Sequence, residues 1–203
     1  MLLAGGEARR FDGLPKGLAT VDDVRIADRI LAALRGATEH QLVVSNDPRA
    51  AEWFPSLRVA ADVVPGLGPL AGIETALRAA GGTAVLIVAW DMPFVTTPLL
   101  RGMRALGEIG AAAVAPAHGE PPVLEALCAY YAPDALATCS RLLAEGERRA
   151  HALHAALPTA MVIPERLLAE HGEPERLFLS VDSQAQLDAL AGVMPRLSHA
   201  PRR

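Results

Sequence analysis

An α/β fold built on a mostly parallel sheet is what this sequence predicts, on three observations. Short apolar runs recur at 41–45 (QLVVS), 57–61 (LRVAA), 84–90 (AVLIVAW), 111–116 (AAAVAP) and 127–131 (LCAYY). They are continuous rather than alternating and are bounded by turn residues, as strands buried on both faces are. Helical patterns lie between them, and strands alternating with helices imply parallel pairing through crossovers.

Taken in order, the chain begins with Leu2-Leu3 and a glycine turn. Ile26, Ile30, Leu31 and Leu34 then share one face of a first helix. QLVVS is followed by Asp47-Pro48, a capping side chain before a proline suited to the first helical position. After LRVAA, GPLAG (68–72) turns into the helix IETALRAA. AVLIVAW leads to a second capping pair, Thr97-Pro98, and the next helix. HGEPP (118–122) breaks the pattern as a surface loop between AAAVAP and LCAYY. Ser183 with Gln186 forms a capping box before LDALAG. There is no repeat and no interdomain linker, so 1–203 reads as a single domain.

Composition narrows the function classes. Apolar residues make up 51% but aromatics only 4%, so the core is assembled from Ala, Leu and Val. A net charge of -4 provides no general field for nucleic acid. Cys128 and Cys139 show no CxxC spacing, which argues against zinc and against a disulfide framework and fits a reducing cytoplasm. No apolar run approaches the ~18 residues of a membrane span, and the N-terminus lacks the pattern of a signal peptide.

In a parallel sheet, ligands bind beyond the carboxyl ends of the strands. The residues just after each run are therefore the informative ones: Ala4, Gly5 and Gly6; Ser45, Asn46 and Asp47; Asp62; Asp91. Two carboxylates, an amide and a glycine loop gather at one edge, a setting for a phosphate ester and a divalent metal. The loop adds a cation. Lys16 is the one lysine among 19 basic residues. An ammonium is a mobile point charge suited to a flexible phosphate contact, where arginine suits a fixed bidentate one. The loop is neither a Walker A motif nor GxGxxG. A lone lysine is also what compositional bias alone can leave.

LAGGEARRFDGLPKGL (3–18) resembles the signature loop of the nucleotidyltransferases that make dinucleotide forms of the molybdenum cofactor, closest to the MobA-like guanylyltransferases. The likeness continues through DVVPGLGPLAGIETAL (62–77), VAWDMPFV (88–95), GERR (146–149) and a weakened FLSVDSQAQL (178–187). It implies a three-layer α/β/α, Rossmann-like nucleotidyltransferase domain. It implies transfer of GMP from GTP to molybdopterin with release of pyrophosphate, and Mg²⁺ as the cofactor. Molybdenum-insertion or target-enzyme chaperone partners are compatible with it. By the same resemblance, the nucleotide loop falls on Leu3, Ala4, Gly5 and Gly6, the phosphate-contacting lysine on Lys16, the nucleoside-holding residues on Asn46 and Asp62, and the magnesium carboxylate on Asp91. Gly68 and Gly72 of GPLAG are expected to allow close approach of base or ribose. Arg9 and Arg10 either hold the leaving phosphates or form a solvated loop pair. Arg148 and Arg149 either face the anionic pterin or end a solvated helix. His151 and His154 are expected to be surface or groove residues, and Trp90 a packing residue.

Three positions depart from the family pattern. Only Met1 and Leu2 precede Leu3, where the family carries a longer apolar run, so the first strand is expected to be short or truncated. Pro15 stands where an aspartate is usual before the lysine. Ser180, Val181 and Asp182 replace an asparagine-rich motif. Three other functions remain open: a cytidylyl-specific relative, against which GPLAG speaks, a non-catalytic nucleotide-binding homologue weakened at Pro15 and Asp182, and a transferase making a different small nucleotide conjugate.

Overall fold

A computed structural model describes residues 1–5 and 15–181. Gly6, Arg9, Arg10, Asp182 and the Ser183–Gln186 capping box lie outside the described residues. The strands are β1 (Leu2–Leu3), β2 (Thr20–Val21), β3 (Val24–Arg25), β4 (Leu42–Val44), β5 (Arg58–Ala60), β6 (Val85–Ala89), β7 (Ala113–His118), β8 (Val123–Leu124), β9 (Cys128–Tyr131) and β10 (Ala160–Pro164). The helices are α1 (Ile26–Arg35), α2 (Ala50–Trp53), α3 (Pro69–Ala79), α4 (Thr97–Glu108), α5 (Ala135–Ala144), α6 (Ala150–Ala156), α7 (Glu165–Leu168) and α8 (Pro174–Leu177).

The main sheet runs in the order β10-β7-β9-β6-β1-β4-β5, with β8 paired to β7. β1 pairs in parallel with β4 and β6, β4 with β5, and β7 with β10. β9 is antiparallel to β6 and β7, so the expectation of a mostly parallel sheet holds with one inverted central strand. β1 spans Leu2–Leu3, and both residues are wholly or almost wholly buried.

The continuous apolar runs are explained by two cores. Successive residues of a strand point to opposite faces. Leu2, Val43, Leu86, Val88 and Val114 enter one apolar cluster, with Ile30, Leu34 and Met103 of α1 and α4. Leu3, Val44, Val85, Ile87 and Ala113 enter the other, with Leu70, Ile73 and Leu153 of α3 and α6. Helices on both faces make the predicted three layers. The first-helix face is as read: Ile26, Ile30, Leu31 and Leu34 are all buried.

Local differences have local causes. The sequence pattern puts the cap of α4 at Thr97; the structure puts it one residue earlier. The Thr96 hydroxyl accepts the Leu99 N–H at 3.4 Å, while the Thr97 hydroxyl donates to the Ala33 carbonyl at 3.0 Å and ties α4 to α1. Asp47 caps a turn rather than a helix: its carboxylate accepts the Arg49 N–H at 2.9 Å, and α2 begins only at Ala50. The β2–β3 hairpin carries no Asn-Gly signal. Its turn is Asp22-Asp23, both at positive φ, a conformation aspartate tolerates and two-residue hairpins favour.

Candidate active site

β1, β4, β5 and β6 run parallel, so their carboxyl ends share one edge of the sheet. A cleft of about 390 Å³ opens there. Its lining includes Leu3, Gly5, Asn46, Asp62, Gly68, Gly72 and Asp91, seven of the residues the sequence proposes for nucleotide binding. Its size lies within the range of small-molecule pockets.

Ala4 is a partial exception to the expected loop. It is buried, and its N–H donates to the Val44 carbonyl at 2.8 Å. That amide belongs to the sheet and has no capacity left for a phosphate. Gly5 is exposed, and among the described residues an added Cβ there would meet nothing within 4 Å.

Lys16 opens a short 3₁₀ turn, Lys16–Leu18, directly after Pro15. Its ammonium lies 3.8 Å from Oδ2 of Asp91, with both side chains about one-fifth exposed (18% and 25%). The turn is positioned by a close contact. Gly17 lies against the Trp90 ring so tightly that a Cβ would come within 2.5 Å of Cε3. Trp90 is 5% exposed and stacks on Trp53 at 6.4 Å between ring centroids. Trp90 is thus a packing residue, as expected, but one that also lines the cleft and lies against the lysine turn. The Asp91 carbonyl accepts the Val181 N–H at 3.0 Å, which brings the FLSV segment beside the same turn.

Asn46 and Asp62 form a reciprocal pair. The Asp62 N–H donates to Asn46 Oδ1 at 2.8 Å, and Asn46 Nδ2 donates to Asp62 Oδ2 at 2.8 Å. The other Asp62 oxygen accepts the hydroxyl of Thr75, from α3, at 2.9 Å. Gly68 precedes α3 with φ +77°, a left-handed conformation natural to glycine. A Cβ there would come within 3.1 Å of the Arg148 carbonyl oxygen. Gly72 differs: its Cβ would reach only the Leu3 methyls, at an ordinary 3.8 Å. Among the described residues no atom forbids a side chain at Gly72, and the space its absence leaves opens onto the cleft.

Arg148 and Arg149 are engaged by their own segment. Arg148 Nη1 donates to the Leu143 and Glu147 carbonyls at 3.0 and 2.8 Å, and the Arg148 carbonyl accepts the Leu70 N–H at 3.1 Å. Arg149 pairs with Glu147 at 2.7 Å. The Arg149 guanidinium, together with the N–H groups of Arg149 and Arg148, holds the Glu147 carboxyl well below the usual range. His151 is exposed, as expected, but His154 is buried, with Nε2 at 3.1 Å from the Met161 carbonyl, so it is a core histidine.

Thr75 and Leu127 are contributors the sequence reading missed. Thr75 stands three residues after Gly72, one turn further along the same side of α3, and that spacing is the signal that could have found it. Leu127 reaches the cleft because β9 is antiparallel and starts at this edge, which no local pattern announces.

Among the described residues no three His, Cys, Asp or Glu side chains converge as a metal site. One carboxylate, Asp91, stands next to the lysine. That donor set fits magnesium, which commonly takes one or two carboxylates and completes its shell with substrate phosphates and water.

Residues 1–161 match the MobA-like NTP transferase domain. A probable molybdenum cofactor guanylyltransferase of Chloroflexus aggregans is 33% identical over 73% of this chain and 72% of its own. A molybdenum cofactor guanylyltransferase of Burkholderia orbicola is 31% identical over 94% of both chains. Among solved structures, the molybdopterin-guanine dinucleotide biosynthesis protein A of Archaeoglobus fulgidus superposes with a TM-score of 0.78 at 25% identity, covering 95% of this chain and 96% of that one. With the sheet order, the edge cleft and the lysine turn already in place, these likenesses establish that the chain belongs to the MobA-like NTP transferase family and is a nucleotidyltransferase.

Proposed function

We propose that this protein transfers GMP from GTP to the terminal phosphate of molybdopterin, releasing pyrophosphate and forming a guanine dinucleotide cofactor. The observation that carries the reading is the pairing of Lys16 with Asp91 at 3.8 Å, at one end of a cleft whose other wall holds Asn46, Asp62 and the start of α3. A cation for phosphate oxygens and a hard anionic ligand stand side by side where a triphosphate enters. The names of the relatives supply the nucleotide and the acceptor.

The chemistry asks little of the protein beyond placement and charge. A terminal phosphate is already an anion at neutral pH, so its oxygen attacks the α-phosphate without a general base. The bond to the β,γ-diphosphate breaks, and pyrophosphate leaves. Lys16 offers its ammonium to the phosphate oxygens as charge shifts toward the leaving group. Asp91 is the residue that would hold magnesium, which when bound neutralises phosphate charge. Asn46 and Asp62 hold the nucleoside. Each oxygen of the Asp62 carboxylate accepts one hydrogen bond from the protein and keeps further acceptor capacity for the N–H edge of guanine. Gly72 leaves room for the sugar and base.

No described helix is long and apolar enough to cross a membrane, and a cytoplasmic enzyme acting on small-molecule substrates is part of the proposal. The test is pyrophosphate release from GTP with molybdopterin, with and without magnesium, and with CTP and ATP in parallel. Magnesium-dependent release that favours GTP by about tenfold or more is expected. A CTP preference would move the chain to a cytidylyl specificity, and nucleotide binding without release would make it a non-catalytic relative.

A further inference from the structure

We propose that Thr75 is a positioning residue for nucleotide recognition, acting through Asp62 on Asn46. The inference rests on the reading of the edge cleft as the nucleotide site. It adds a residue buried in α3, outside the loops that line the ligand.

Thr75 is 5% exposed, buried on the side of α3 that carries Ala71 and Gly72 rather than on the side of Leu70, Ile73 and Leu77. A hydroxyl in such a place commonly bonds back to a carbonyl of its own helix. This one donates across to Asp62 Oδ1 at 2.9 Å. Gly68, Gly72 and Thr75 follow one another at i, i+4 and i+7, so they share a single face of the helix. The first two line the cleft, and Thr75 is the next residue on that face.

The consequence runs through Asp62. Its carboxylate sits between two donors, Thr75 Oγ1 at 2.9 Å and Asn46 Nδ2 at 2.8 Å, which fixes its plane. Asn46 is then fixed as well. Its oxygen accepts the Asp62 N–H and its nitrogen donates to the Asp62 carboxylate, so the amide has one orientation, and one N–H of Nδ2 remains to offer a ligand. Asn46 is exposed, and hydrogen bonds in contact with water hold a side chain weakly. The buried partner in this relay is Thr75, so the rigidity of the pair comes from α3. An oriented donor and acceptor bind a base better than the same groups free to rotate, because the ordering cost is met before the ligand arrives.

Thr75→Val keeps the shape and removes the hydroxyl; Thr75→Ser keeps the hydroxyl and trims a methyl. GTP affinity would be measured by calorimetry on the full chain with magnesium, alongside steady-state kinetics and melting temperature. Thr75→Val should raise the Kd and KM for GTP by roughly tenfold, as loss of a hydrogen bond to a charged group does. It should leave kcat at saturating GTP within about twofold of wild type, since Lys16 and Asp91 are untouched. It should also narrow the preference for GTP over CTP. Thr75→Ser should bind as wild type does. The proposal is overturned if Thr75→Val binds GTP like wild type. It is equally overturned if Thr75→Ser is as impaired as Thr75→Val with kcat and melting temperature falling together, which is what a packing role predicts. Failure of the wild-type protein to bind GTP at all would overturn the nucleotide-site reading itself, and this inference with it.

Discussion

Gly17→Ala tests whether the lysine turn is set by its contact with Trp90. The added Cβ would stand 2.5 Å from Trp90 Cε3, 3.0 Å from Cδ2 and 3.3 Å from Cβ. Carbon atoms rest at ~3.5–4.0 Å, so one partner must yield by about 1 Å. Gly17 lies outside the left-handed backbone region, so alanine brings no conformational penalty of its own and the clash is isolated. Trp90 is poorly placed to yield. It is 5% exposed, its ring is stacked on Trp53, and the next residue is Asp91. The 3₁₀ turn therefore moves, carrying Lys16 with it.

Overpacking of this kind costs about 1–3 kcal/mol in stability. Misplacing a group that positions the reaction by about 1 Å can cost on the order of a hundredfold in rate. The expected result for Gly17→Ala is a modest fall in melting temperature with a disproportionate loss of pyrophosphate release at saturating GTP. A second substitution, Trp90→Leu, frees the space the new methyl needs. In the Gly17→Ala background it should recover part of the lost turnover. Wild-type kinetics in Gly17→Ala, or a double variant no better than the single, would refute the claim that this contact sets the position of Lys16.

Other substitutions probe the same site and the core. Lys16→Arg should lose about tenfold or more in turnover, because a planar fork replaces a compact point charge; unchanged kinetics would remove the case for a lysine there. Asp91→Asn keeps the shape beside Lys16 and should lower magnesium-supported turnover at least ~100-fold with little change in melting temperature; an active variant at saturating magnesium would place the metal elsewhere. Burial holds His154 below its ordinary basicity, against its hydrogen bond to the Met161 carbonyl, so its contribution to stability is full above the usual histidine value of ~6.5 and is lost as pH falls from there through the lower folded value. The melting temperature of wild type should accordingly drop more steeply between about pH 7 and about pH 5 than that of His154→Gln, and parallel slopes would show that His154 does not titrate against folding.

The strand runs were legible because a parallel sheet covered on both faces needs apolar residues in both registers. The same continuity hid the direction of β9. Cys128–Tyr131 pairs antiparallel with β6 and β7, but its two-faced burial reads like that of a parallel strand. β10 went unread for a different reason. Among the described residues it pairs only with β7 and exposes Met161 and Val162, and its short run follows a helix end and closes on Pro164. At the site, the residues at strand ends were legible because the sheet rule fixes where they converge. Thr75 was not, because its role depends on a turn of α3 passing beneath Asp62.

The cleft is thus assembled from two units with separate foundations. At the end proposed for the phosphates, Lys16 and Asp91 stand 3.8 Å apart beside the stacked tryptophans, with Trp53 against Trp90 and Trp90 against Gly17. The end proposed for the nucleoside, Asn46 and Asp62, is tied to α3 through Thr75, and α3 is itself tied down where the Arg148 carbonyl accepts the Leu70 N–H. The two units meet through the register of β1 with β4 and β6, which sets Leu3 opposite Val44 and Ala89. Both neighbours pair with β1 in parallel, and the side chains of Leu2 and Leu3 are buried, one in each core. The loop departure at Pro15 fits the same scheme: its carbonyl accepts the Leu18 N–H at 2.9 Å and closes the turn that carries Lys16. A residue with φ preset near −65° starts that turn with less conformational freedom to lose. Here it sits at φ −62°. Proline at this position thus places no charge beside the lysine and stiffens the turn that presents it.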